Sequence, residues 1–140
     1  IRAFLRHRLL LSKHEQQQQY GEALLFVGFR NPADQVYGDL IQDALASGAL
    51  TESHVSFANS DQKCSLVSET LHDHGRHIWE HVETPDSRTY VCGGARTFGV
   101  AVENVVYEII QEYGGLSPQQ ATEYLKKMIA EGRFCEDLAD

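Results

Sequence analysis

An α/β fold built on an open, mostly parallel, doubly wound sheet is what this sequence predicts, and three observations predict it. Ala23-Leu24-Leu25-Phe26-Val27-Gly28-Phe29 is an unbroken apolar run, the mark of a strand covered by helices on both faces. Strand-like stretches alternate with segments of helical period along the chain, as crossovers between parallel strands require. Finally, Tyr90-Val91-Cys92-Gly93-Gly94-Ala95-Arg96 leads into a glycine pair ahead of a helix-period run from Phe98 to Tyr113. That junction would present backbone N–H groups and a helix N-terminus to an anionic ligand at a strand's carboxyl edge. Alone, it reads more readily as an ordinary tight turn, with Cys92 a small buried apolar residue.

The first element, Arg2 to Lys13, carries Ala3, Phe4, Leu5, Leu9 and Leu10 at helical spacing, flanked by Arg2, Arg6, Arg8 and Lys13. No capping residue precedes it and the chain starts at Ile1, so a piece of a longer chain is expected. Gln16 to Gln19 reads as a solvated helix end. The strand over 23–29 ends in Arg30-Asn31-Pro32-Ala33-Asp34, where Asp34 is placed to cap a helix. That helix shows Val36, Leu40, Ile41, Ala44 and Leu45 on one face and stops at Gly48.

Residues 53–58 alternate, Val55 and Phe57 against His54 and Ser56, as a strand nearer the sheet edge does. A helical segment from about Ser65 to Val82 follows, with a break at Gly75 and with His72, His74, His77 and His81. His77 and His81 share a face at a spacing zinc accepts, but four histidines on the solvent side of an amphipathic helix is the favoured reading. After the turn at Thr84-Pro85-Asp86 and the strand at 89–92, Val102, Val105, Val106, Ile109, Ile110 and Tyr113 line the inner face of a helix ending at Gly114-Gly115. Ser117, Pro118 and Gln120 make a capping box for one more helix, stopped by Gly132, and Phe134-Cys135 leads a short last strand.

The 140 residues supply one core, so a single domain over 1–140 is expected. A formal charge of −8 argues against a nucleic-acid or anionic-membrane surface, while a phosphorylated small molecule needs only a few converging Arg and Lys. Cys64, Cys92 and Cys135, without a C-x-x-C, suit a reducing compartment on the cytoplasmic side. No apolar run approaches the length that spans a membrane.

With Gly28-Phe29-Arg30, Tyr90-Val91-Cys92-Gly93 and Glu131-Gly132-Arg133-Phe134 in this order and spacing, the chain resembles one family over essentially all its length. The resemblance is to the C-terminal NAD(P)H-binding domain of diflavin reductases, the NADPH–cytochrome P450 reductase type of the ferredoxin-reductase superfamily. The reductase halves of self-sufficient fungal and bacterial P450s are included. It implies a sheet whose central first strand and phosphate loop would precede Ile1. It also implies NADPH or NADH as the nucleotide, FAD and FMN on other domains, and a P450 haem as electron acceptor. Cys92 would lie beside the nicotinamide ring and Asp137 would complete the catalytic cluster. Arg30, Lys63, Gly93, Gly94 and Arg96 would surround the cofactor.

The chain departs from the family pattern at several cofactor positions. Ala58-Asn59 stands for Ser-Arg at the adenosine 2′-phosphate, and Ser65 for the Tyr that stacks on adenine. Val67 stands for Gln, Gly94 for Asp, and Ala139 for the aromatic residue that covers the flavin. Hydride transfer from a nicotinamide nucleotide to FAD is the leading reading. A degenerate remnant with weak adenine-nucleotide binding is its rival, and a metal-binding regulator using the helix histidines stands third. A strand at 23–29 without its central neighbour would leave an apolar ladder edge open. The isolated 140 residues are therefore expected to be marginal or insoluble, and thermal unfolding of the monomer is the check; a cooperative transition at an ordinary mesophile temperature would contradict it.

Overall fold

The computed structural model describes residues 1–14, 21–58 and 66–139. The chain divides into two compact units, Ile1–Thr70 and Leu71–Asp140. The strands expected at 23–29, 53–58 and 89–92 and the last one led by Phe134 all form, and the α/β class stands. Among the described residues the strands make two parallel pairs, and no helix is long and apolar enough to cross a membrane.

In the first unit α1 (Arg2–His14), β1 (Leu24–Phe29), α2 (Gly38–Ala46) and β2 (Glu52–Phe57) follow in order. β1 and β2 run parallel, from Leu24 opposite Glu52 to Phe29 opposite Phe57. The core is Leu5 of α1, Ile41 and Ala44 of α2, and Ala49 and Leu50 on the way into β2. Leu9, Ala23, Leu25, Leu40 and Leu45 pack against it. Fully burying one such leucine contributes about 2 kcal/mol. Arg8 donates from Nε to Ala49 O at 2.6 Å and from Nη2 to Gly21 O at 2.8 Å. One α1 side chain thus ties down the segments entering both strands. β1 is mostly half-buried rather than covered on both faces, since β2 is its only strand neighbour among the described residues.

The entry to α2 differs from expectation. Pro32–Asp34 takes a 3₁₀ turn, and Asp34 Oδ2 accepts from N and Nδ2 of Asn31 at 3.1 and 3.0 Å. Asp34 therefore closes this turn instead of capping α2. Val36, left outside the helix, is 50% exposed. Tyr37 takes φ 63°, a left-handed conformation uncommon for a bulky residue, just before Gly38. On β2, His54 stacks on Phe26 with ring centroids 4.8 Å apart. Buried Ser56 places its hydroxyl 2.6 Å from that of Thr70.

The segment expected as one interrupted helix is α3 (Val67–Asp73) and α4 (Gly75–Val82). Buried Gly75 is required because a Cβ there would overlap the Tyr113 ring. The second unit continues with β3 (Thr89–Gly94), α5 (Val100–Gly114), α6 (Pro118–Ala130) and β4 (Phe134–Ala139). β4 is longer than the short strand expected, and it runs parallel to β3 along all six residues. Val91 and Phe134 of the sheet are buried, as are Val105, Val106, Ile109 and Ile110 of α5 and Leu125 and Met128 of α6. The capping box of α6 forms as the sequence specifies: Gln120 N donates to Ser117 Oγ at 3.3 Å and Ser117 N to Gln120 Oε1 at 3.0 Å.

Arg133, just before β4, reaches back to the connection between α4 and β3. Its Nη2 donates to Val82 O, to Thr84 O at 2.8 Å and to Ser87 Oγ at 3.2 Å, and its Nε donates to Ser87 O at 3.3 Å. Its own carbonyl accepts from Thr89 N at 2.7 Å. Hydrogen bonds from a charged donor are the stronger ones, and lysine lacks the forked geometry that reaches several acceptors. Arg133→Met is expected to cost about 2 kcal/mol or more, with Arg133→Lys recovering less than half, as read from urea unfolding midpoints.

Candidate functional site

Six of the ten residues singled out from the sequence gather at one end of the β3–β4 pair: Cys92, Asp137, Gly93, Gly94, Arg96 and Ala139. Successive strand residues alternate between faces, and residues opposite one another on neighbouring strands share a face. Buried Val91 and Phe134 mark the inner face. Tyr90, Cys92 and Gly94 of β3 fall on the other face, together with Cys135, Asp137 and Ala139 of β4. Cys92 is directly opposite Asp137, with the strands about 4.8 Å apart. Both residues are exposed, and Cys92 is a free thiol. A polarizable sulfur and a carboxylate therefore lie side by side on an accessible surface, able to meet a flat ring whose charge changes.

The glycine pair does not form the tight turn. Gly93 and Gly94 are the last residues of β3, and Gly94 is extended at φ −78°, ψ 130°. The chain turns through a π-helical segment, Ala95–Gly99, and α5 begins only at Val100. Glycine is needed here for packing: a Cβ on Gly93 would overlap the Phe98 ring, and one on Gly99 would overlap Leu138. These contacts press the turn onto the end of the sheet. Gly94 has open space where a Cβ would stand, so its backbone is approachable. Arg96 is exposed on the turn, and Ala139 is exposed opposite Gly94. An open backbone, an exposed cation, a thiol and a carboxylate thus lie together at a strand's carboxyl edge.

Arg30 belongs to the first unit, where it follows β1 and is exposed. Asn59, Lys63 and Ser65 lie outside the described residues. The histidines are less exposed than a solvent face requires: His72 is exposed, but His74, His77 and His81 are half-buried. His72 pairs with Glu108 at 3.0 Å, and His81 Nδ1 lies 2.9 Å from His77 O. Cys135 and Tyr90, which the sequence reading passed over, share the outward face with Cys92. Extending Phe134-Cys135 as a strand through Leu138 would have put Cys135 on the same face as Asp137; Tyr90 joins them as the β3 residue two before Cys92.

No protein-family model matches the chain. It is similar to the NADPH–cytochrome P450 reductase of Rattus norvegicus, 32% identical over 136 residues, which is 96% of this chain and 20% of the relative. The Homo sapiens protein of the same name is also 32% identical over 136 residues, with the same coverage. The Salmo trutta protein is 31% identical over 125 residues, 89% of this chain and 21% of the relative. The chain spans about a fifth of the length of the curated relatives it matches, and these similarities support a fragment of the NADPH–cytochrome P450 reductase family. Gly93→Ala is expected to lower stability by about 1–3 kcal/mol through overlap with Phe98, and Phe98→Leu on top of it to recover part; thermal unfolding of the three variants measures both.

Proposed function

We propose that this stretch of a reductase-family chain binds reduced nicotinamide nucleotide at the Cys92–Asp137 face, from which hydride passes to FAD on a neighbouring domain. Electrons then continue through FMN to a cytochrome P450 haem. The observation that carries the reading is the pairing of Cys92 with Asp137 on the exposed face of β3 and β4. The relatives' name, which specifies NADPH and cytochrome P450, supports the direction of flow.

The reduced nucleotide supplies the hydride when bound. Cys92 offers a nearly neutral, polarizable surface to a ring that gains positive charge, so it favours neither state by a fixed charge of its own. Asp137 adds a negative charge beside it that stabilises the charge developing in the transition state. Gly94 lets the backbone come close, and Arg96 and Arg30 provide cations for phosphate oxygens. Lys63 is the remaining cation for a 2′-phosphate, with Asn59 and Ser65 in place of stronger partners and Ala139 in place of a ring over the flavin.

Each missing charge-assisted hydrogen bond removes about 1.5–3 kcal/mol of selective binding. A preference for NADPH over NADH of about tenfold or less follows, since one decade is about 1.4 kcal/mol. In stopped-flow flavin reduction in the intact parent, which carries the flavin domains, Cys92→Ala is expected to slow both nucleotides. Asn59→Arg should tighten NADPH with little change for NADH. A strong NADPH preference in the unmodified protein, or an inert Asn59→Arg, contradicts the specificity argument. No flavin reduction by either nucleotide leaves only a non-catalytic remnant.

A further inference from the structure

His77 and His81 stand one turn apart on α4, in the order His77-Ile78-Trp79-Glu80-His81. Two histidines at this spacing on one helix face, with a glutamate beside the second, is an arrangement in which helices of zinc enzymes hold the metal. Spacing alone decides nothing in so short a stretch, and the folded side chains supply what it lacks. The two rings meet edge to face with centroids 4.9 Å apart, and a ring nitrogen of each lies within 4.8 Å of the other's. Two imidazole nitrogens on one zinc, at bonds of about 2.1 Å, stand roughly 3.4 Å apart, so a modest turn of the rings closes the gap. His81 Nδ1 lies 2.9 Å from His77 O. A carbonyl oxygen only accepts, so the proton sits on Nδ1 and the neutral ring keeps its lone pair on Nε2. This is the outer hydrogen bond that fixes the tautomer and orientation of a metal-ligating histidine. His77 also lines a hollow with Asp73 and Glu80, whose carboxylates favour a cation. Arg76, on the same hollow, has its guanidinium over the Tyr113 ring, 5.7 Å from the centroid.

We infer that His77 and His81 form a two-histidine site on α4 for a divalent transition metal of the zinc class, with water in the remaining positions. Imidazole nitrogen suits zinc, copper and nickel, whereas calcium and magnesium take oxygen ligands. Both histidines are half-buried on a formed helix, so much of the cost of ordering the ligands is met by the fold. A metal bound across i and i+4 clips the last full turn of α4. That turn leads into Val82, whose carbonyl accepts from Arg133 Nη2, so the clip steadies an acceptor on which the start of β4 depends. The inference is independent of the nucleotide reading: α4 carries neither Cys92 nor Asp137.

The test is calorimetric titration with zinc chloride of the intact parent, first stripped of metal with a chelator, alongside its His77→Gln and His81→Gln variants. The unmodified protein is expected to take up one zinc equivalent that each variant loses or binds about tenfold or more weakly. Unchanged zinc uptake in a folded variant of either histidine overturns the inference, as does an unmodified protein that takes up no zinc. Loss of the same equivalent in Cys92→Ala also overturns it, because the metal then sits on the outward face of the sheet. Hydrogen exchange of the unmodified protein needs no variant and decides the matter if neither histidine variant folds. Saturating zinc is expected to slow exchange of the α4 amides about tenfold or more. Exchange across α4 that zinc leaves unchanged overturns the inference.

Discussion

A guanidinium surrounded by backbone oxygens holds the second unit's sheet in register. Arg133 reaches the carbonyls of Val82, Thr84 and Ser87, while its own carbonyl receives Thr89 N. The two strands begin at fixed positions relative to each other, although the whole of α5 and α6 separates them in the chain. Parallel strands have no hairpin turn to set their register, so something at the strand starts must do it. A slip of one residue would set Asp137 opposite Val91 or Gly93 and turn its carboxylate toward the other face. The juxtaposition of Cys92 and Asp137 thus depends on contacts three and more residues away from either.

Close packing at glycines is the second constraint. Gly93 meets Phe98, Gly99 meets Leu138, Gly75 meets Tyr113 and Gly114 meets Trp79. The first two press the π turn onto the sheet end; the other two let α4 and α5 approach. None of the four has positive φ, so each is glycine for want of space. The wide turn matters chemically. It puts five residues between the end of β3 and the start of α5, which moves the helix terminus away and leaves Arg96 exposed in the interval.

The first unit supplies a different kind of edge. Its core draws on α1, α2 and the approach to β2, and Arg8 fastens α1 to the segments that enter both strands. That leaves the carboxyl ends of β1 and β2 to the Phe29–Phe57 rung and Arg30.

How much was legible in the sequence follows from the range of the forces involved. The apolar run at 23–29, the alternation at 53–58 and the Ser117-Pro118-Gln120 capping box are local signals, and each produced its element. Cys92 and Asp137 were legible as candidates through family resemblance. Their lateral pairing was not, because register is decided by contacts such as those of Arg133 that connect residues far apart in sequence. The glycine pair misled for a related reason: glycine permits a turn and also permits close approach, and only the Phe98 ring determines which applies at Gly93. Asp34 was a capping residue by type, but Asn31 lay nearer and captured its carboxylate. Local propensity determined which elements the chain forms, and tertiary packing decided which side chains face each other at their ends, because register and close contact are properties of pairs.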